Sequence, residues 1–509
     1  MRKKAWLPAF MAVGLLLLAA CGSNGGKDPV GTNGKETPST GQTEETAQLN
    51  VAFLSVTGTP PDLKAVETEI NKITKAKINT TVNLMPINYG AYSQQVNLML
   101  TSNEKLDLIV VGAPFGFSSQ VSRGQLLPLD GLLEKYGANI KKALAPVYLN
   151  ASKVGGKIYG ITSVRDLATA NGFTMRKDLA DKNGIDPSKI HTLDDVEAAL
   201  KVIKDKELGI TPLIPSGVGF SYLTSYGWFD GVGNGMGVLP GYDNNLKLVN
   251  SYETKEYADL LKRMRSWYEA GYVLKDGATN KASQIELIKA DRAFGYLSKL
   301  KPGFDAQESR SIGKEMISAT LSTPVSMTDQ VLNIMWGIPQ QAENPDASMK
   351  FLDLLYGDKE LVNLLDWGIE GKNYVKVAGS DNVIKYPEGV TMLTNGYNLN
   401  MGWLFGNQFL SYVFEGDDPE IWKKMKEFNE QAIKSKAMGF AMDPESVKTE
   451  MAAVSNVMSQ YYLVLETGSV DPNKVLPQLN EKLKTAGIDK IIAEKQRQLD
   501  EWAKSEGVR

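Results

Sequence analysis

Cysteine and histidine are almost absent: the 509 residues include one of each, Cys21 and His191. Zinc sites built from paired cysteines or clustered histidines, and disulfides within the chain, are excluded by count. A Ser-His-Asp or Cys-His hydrolase would have to use His191, and no nucleophile motif surrounds it. Basic excess is missing too. Lys and Arg total 56 against 59 Asp and Glu, a formal net charge of -3, so nucleic acid is not an expected partner. After the first twenty residues no apolar run approaches a membrane span. With 42% hydrophobic and 23% charged residues, the composition is that of a folded soluble body with two or three core-forming units.

What is present begins at the N-terminus. Arg2, Lys3 and Lys4 precede the apolar run Ala5 to Ala20, the pattern of an export signal over residues 1–20. The run ends in Leu18-Ala19-Ala20-Cys21-Gly22, which resembles a bacterial lipobox. Small residues at 19 and 20 suit a peptidase that cleaves before cysteine, and the Cys21 thiol would then carry a diacylglycerol. Cleavage would leave 53 basic against 59 acidic residues, a mildly acidic exported part. From Gly22 to about residue 47 the chain is Gly, Ser, Thr, Asn, Glu and Lys, which cannot bury a core and reads as a flexible tether.

The folded body opens with Leu49 to Leu54 as a strand. A helix carrying Val66, Ile70 and Ile73 follows, then a strand at Ile78 to Leu84, a helix at Ala91 to Leu100 and the apolar strand Leu106 to Val111. Strand and helix alternating in this way predict an α/β fold with a parallel sheet. Ligands on such sheets gather beyond the strands' carboxyl ends, so Thr57, Tyr89 and Pro114-Phe115 are candidate cleft residues. A second α/β unit starts near residue 165. In it, Thr192 and Asp195 have the spacing of a capping box opening a helix, which makes His191 a residue at a helix start. Tyr257, Leu260, Leu261, Met264 and Trp267 form one apolar stripe and read as core. Val331 to Ile338 reads as a further strand. Asn344 and Pro345 open a helix ending at Gly357, and the tail after Asp443 is mostly helical.

Several short motifs then occur in order. They are Leu106-Asp107-Leu108-Ile109-Val110, Gly124 to Asp130, Gly156-Lys157-Ile158-Tyr159-Gly160-Ile161, Met175-Arg176-Lys177-Asp178-Leu179, and Trp336-Gly337-Ile338-Pro339 before Asn344-Pro345 and Lys350-Phe351-Leu352. With the lipobox, that order resembles family 1 extracellular solute-binding proteins of ABC importers, the maltose-binding-like group. Leu364 to Tyr374 and the tail Gly487 to Asp500 resemble its aldouronate or oligosaccharide lipoprotein subgroup from Gram-positive bacteria, which carries an uncharacterised C-terminal domain. The resemblance implies a two-lobed, type II periplasmic-binding-protein-like fold that closes on a sugar. The N-lobe would hold 48–164 and about 326–370. The C-lobe would hold 165–325 and about 371–509 with the helical tail. It also implies a monomer anchored by palmitate-type acylation at the outer face of the cell membrane, working with ABC permease subunits, with neither cofactor nor metal nor catalysis.

A pyranose offers an apolar face and a rim of hydroxyls, so its site needs aromatic platforms and planar polar groups. Two loops supply that mixture, Phe220 to Asp230 with Tyr222 and Trp228, and Asn398 to Asn407 with Trp403 and Asn407. Trp336 lies on a strand-like run, where core and cleft are both open to it. Glu370 is either an acceptor for paired hydroxyls or a solvated turn. Arg165, near the first hinge, would meet a hydroxyl pair or a uronate carboxylate, or else form a surface salt bridge. Asp417-Asp418-Pro419-Glu420 reads as a helix start rather than a metal site. Two alternatives stay open: a secreted glycoside hydrolase, which needs only two suitably spaced carboxylates, and a peptide-binding surface lipoprotein.

Overall fold

The computed structural model describes residues 45–508 apart from 57, 103, 216–226 and 234. Cys21, most of the tether, Thr57 and Tyr222 therefore lie outside the described residues. Strand β1 (Ala47–Ser55) leads through α1 (Leu63–Ile78) to β2 (Thr80–Asn88), and α2 (Tyr89–Thr101) leads to β3 (Leu108–Val111). All three strands are parallel, with β1 in the middle. Val66 and Ile70 bury the inner face of α1, while Ile73 is half-buried. β3 is buried along its whole length, as expected of a strand covered on both faces. β4 (Ile161–Thr162) ends this stretch.

The second sheet is built around β5 (Ala170–Arg176). The α3 helix (Leu193–Lys206) starts at the expected capping box: Asp195 N–H donates to Thr192 Oγ1, and Thr192 N–H donates to the Asp195 carboxylate. β6 (Thr211–Leu213) follows, then the short hairpin of β7 (Phe229–Asp230) and β8 (Leu239–Pro240). Along α4 (Lys255–Glu269) the stripe from Tyr257 to Trp267 is wholly core. β9 (Ala293–Leu300) and β10 (Met316–Thr320) flank β5, both antiparallel to it, and β6 runs parallel to β9 at the edge.

The chain then returns. β11 (Val325–Ser326) and the single turn α5 (Thr328–Val331) lead to β12 (Met335–Gly337), which joins the first sheet antiparallel to both β3 and β4. The run Val331 to Ile338 is thus not one strand. Its first half bends over the end of β3, where Ala113 N–H donates to Leu332 O. Gly112 is required there, because an added Cβ would lie 2.2 Å from Asn333 O. Helix α6 (Pro345–Gly357) opens as expected, with Asn344 accepting from Ala347 N–H. Gly357 is its last residue rather than its cap. Asp358 ends the helix and caps the next, α7 (Lys359–Trp367).

A small sheet of β13 (Val375–Lys376), β14 (Val383–Lys385) and β15 (Val413–Phe414) packs on Trp367. Residues 397–405 pack differently from the expected grouping. Tyr397, Leu399, Met401, Leu404 and Phe405 are buried in the first core, not the second. The cause is aromatic packing: Phe405 stacks on Trp336 and meets Phe53 edge-on. The helix α8 (Ile421–Gln431) begins just after the Asp418 carboxylate accepts Glu420 N–H, and β16 (Ile433–Lys434) follows. The tail forms α9 (Lys448–Glu466), α10 (Pro472–Ala486) and α11 (Ile488–Glu506), whose Val454, Leu465, Leu479, Leu483, Ile488 and Ile491 enter the second core.

Candidate functional site

Three chain crossings connect the sheets, and they are bonded side by side. Thr169 and Val325 exchange two backbone hydrogen bonds, and β11 pairs in parallel with β16. This arrangement decides which strand ends face one another. β4 runs into the first crossing at its carboxyl end and is parallel to β1, β2 and β3, so all their carboxyl ends lie on the crossing side. In the second sheet β5 begins at the crossing, so the carboxyl ends of its antiparallel neighbours β9 and β10, and of β6, lie there too. Two rows of loops therefore face each other across the hinge, the position where open α/β sheets hold ligands.

On the first row Tyr89 is 53% exposed and meets Phe115 edge-on at 6.2 Å. Trp403 is half-buried against the first core, on the loop that runs from Gly396, bonded to Asp62 at the start of α1, to Gly406, bonded to Val164 in the first crossing. On the second row Asn171 organises the loops. Its Nδ2 donates to Gly227 O, its Oδ1 accepts from Lys299 Nζ at 2.7 Å, and its backbone N–H donates to Ser322 Oγ. Trp228 follows directly, half-buried and edge-on to Phe229, and its buried indole N–H has no hydrogen-bond partner among the described residues.

Charged groups concentrate at the crossings. Arg165 donates to Asp166 Oδ1 at 2.6 Å and to Gln330 O at 2.8 Å, while Lys301 donates to Asp166 Oδ2 at 2.8 Å. Burial would raise the Asp166 carboxyl, but the two cations outweigh it and hold the group below the usual range. Asp329, on α5, is pushed up to about 6 by burial and by the neighbouring Asp230. Burial likewise lowers Lys299 to about 8, against the attraction of Asp329.

Of the expected site residues, Trp228, Trp403 and Tyr89 lie on or beside the facing rows, and Arg165 lies at the hinge. Two of its nitrogens are already bonded, Nη1 to the Asp166 carboxylate and Nη2 to Gln330 O, while its buried Nε has no hydrogen-bond partner among the described residues. Trp336 is 0% exposed and donates its indole N–H to Leu404 O, so it serves the core and not the cleft. Glu370 sits away from the crossings, beside Lys376 and α1 residues Glu69 and Lys72, on a surface pocket of about 520 Å³. Asn407 is spent locally: its Oδ1 accepts from Phe409 N–H, and it borders a cavity of about 420 Å³ with Tyr148, Tyr356 and Asn429. Tyr222 lies outside the described residues. Sequence reading missed Asn171, Lys299, Lys301, Asp166 and Asp329, because the partners that meet, Lys301 with Asp166 and Lys299 with Asn171, stand more than a hundred residues apart in the chain.

A two-lobed α/β body with apposed strand ends and three paired crossings defines a type II binding protein, a class that captures solutes by closing a cleft. Residues 57–361 match the bacterial extracellular solute-binding protein family, and the chain belongs to that family. Residues 436–504 match a domain of unknown function. A carbohydrate ABC transporter substrate-binding protein of Streptococcus pneumoniae serotype 4 (strain ATCC BAA-334 / TIGR4) is 29% identical over 495 residues, 96% of each chain. The crystal structure of the N-glycan transport solute-binding protein NgtS from Streptococcus pneumoniae superposes with a TM-score of 0.79 at 28% identity, covering 90% of this chain and all of that one. NgtS in complex with Man1GlcNAc superposes with a TM-score of 0.68 at 27% identity, with the same coverage.

Proposed function

We propose that this protein captures a neutral oligosaccharide between the two rows of loops and delivers it to the permease of an ABC importer. The observation that carries the reading is the placing of two aromatics on the opposing rows of loops, the exposed Tyr89 and the half-buried Trp228, the latter beside the polar groups built on Asn171. The carbohydrate role of the Streptococcus relative and the glycan bound by NgtS support it. Preference for a neutral sugar is inferred from the cations near the crossings being engaged within the protein: Arg165 and Lys301 both bond Asp166, and Lys299 bonds Asn171 and faces Asp329. One lobe would comprise 45–164 with 332–414, the other 170–320 with the tail. Closure about the crossings would bury the sugar without chemistry. Cys21 would hold this monomer at the outer face of the membrane.

Thermal unfolding against a panel of oligosaccharides tests this. A neutral mannose- or N-acetylglucosamine-containing oligosaccharide at a hundredfold excess over its dissociation constant should add about 2.7 kcal/mol of stability, and a galacturonate oligomer should add less. Stabilisation by peptides alone would remove the sugar, and released monosaccharide would make the protein a hydrolase.

A further inference from the structure

One helix within the match to the domain of unknown function, α11, packs against the loop that follows Trp228. Along α11 the side chains of Ile492, Lys495, Gln496, Leu499 and Ala503 recur at helical spacing and face the loop between Trp228 and Asn250. Gly237, at φ +85°, passes so close that an added Cβ would lie 2.9 Å from Ile492 Cγ1. Gln496 accepts from Leu248 N–H at 2.8 Å and donates to Leu246 O at 2.9 Å. Leu499 and Ala503 bury against Val232, Leu239 and Leu246.

Lys495 is the anomaly on this face. It is 0% exposed, yet its Nζ donates to Gly237 O at 2.9 Å and to Gly231 O at 3.3 Å, on either side of the β7–β8 hairpin's turn. A buried ammonium is retained only where charges and acceptors compensate it. Asp230 and Asp329 are the carboxylates that do so. Asp230 is also bonded to Ser435, on the third crossing, and Asp329 sits on the second. Lys495 thus bonds the loop that follows Trp228, and that loop lies against the hinge, since the Asp329 carboxylate is 3.5 Å from where a Cβ of Gly231 would stand.

We infer that α11 is the frame of the cleft, with Lys495 as a positioning residue that holds the Trp228 loop against the crossings so that the loop is set before ligand arrives. The inference rests on the proposed sugar site for its consequence in binding, but not for its structural claim. Preorganisation of this kind strengthens binding by removing the cost of ordering a loop.

Hydrogen exchange on the full exported chain tests the structural claim without ligand. In Lys495→Met, amides of residues 229–250 should exchange at least tenfold faster, while those of β5 and β9 keep their protection. Gln496→Ala, which loses the two bonds to Leu246 and Leu248, should loosen the same segment and decides the matter if Lys495→Met does not fold. Unchanged exchange in the loop, or acceleration spread evenly over the chain, would overturn the inference. In binding, Lys495→Met should weaken the oligosaccharide at least tenfold, and the loss should vanish on a Trp228→Ala background. An equal loss on both backgrounds would also overturn it. If no oligosaccharide binds the unaltered protein, the sugar reading fails while the exchange result still judges α11.

Discussion

Trp336 donates its indole N–H to the carbonyl oxygen of Leu404 at 2.7 Å, fastening a strand of the first sheet to the loop 397–407 that packs over it. The ring is wholly buried and stacks on Phe405. Trp336→Ala should therefore cost about 3–5 kcal/mol of stability, and the folded fraction should bind ligand as before. Chemical denaturation together with calorimetric titration checks this. Lost affinity at unchanged stability would return Trp336 to the cleft.

Trp228 and Trp403 should behave in the opposite way. Both are half-buried, so truncation removes less packing than at a core tryptophan. Trp228→Ala and Trp403→Ala should each weaken oligosaccharide binding at least tenfold, about 1.4 kcal/mol, and cost less than about 2 kcal/mol of stability. Both quantities are to be measured on the same preparations. Unaltered affinity in a folded variant would assign that ring to the core.

Asp366 predicts a pH effect. Burial pushes its carboxyl up to about 6, although Met401 N–H and Ser411 Oγ donate to it. An unfolded aspartate titrates near 3.9. Between these values the folded chain keeps a proton that the unfolded chain has released. The stability due to this group is thus fully present below about pH 4 and is lost as pH rises through about 6. That difference in proton affinity between the folded and unfolded chain is worth about 3 kcal/mol. Asp366→Asn carries no such titration, so the wild type should lose up to about 3 kcal/mol relative to the variant between about pH 4 and 7. Urea denaturation across that range reads the difference, and parallel curves would show that Asp366 ionises normally in the fold.

Cys21→Ala should abolish lipid attachment while leaving the body folded, since no other thiol exists in the chain. Cells fed labelled fatty acid provide the readout. Label retained on the variant would exclude Cys21 as the acylation site.

Local features were legible where one stretch of chain carries the whole signal. The capping box at Thr192 and Asp195, the cap at Asn344 and the core stripe of α4 depend on neighbours three to seven residues apart, and each occurs as read. The division of Val331 to Ile338 was not legible, because apolarity marks burial in a turn and in a strand alike. The same ambiguity hid the fates of the tryptophans. Trp336 on its apolar run and Trp228 in its mixed loop were each open to core or cleft, and only the loop that packs over Trp336 buries it wholly, while Trp228 stays half-buried.

By itself the sequence determined the α/β alternation, the helical tail and the ordered motifs of a solute-binding family, since these are written in periodicity and local order. Only the tertiary structure decided which residues form the cleft. Asn171, Lys299 and Ser322 meet because β9 and β10 flank β5 in antiparallel pairing, across gaps in sequence that no local pattern spans. It also decided that residues 397–405 join the first core, through the contact of Phe405 with Trp336 and Phe53. Lys495 shows the physical reason most plainly: a lysine in a helix stripe reads as solvated, and it becomes a buried cation only when carbonyls and carboxylates from residues 230–237 and 329 close around it.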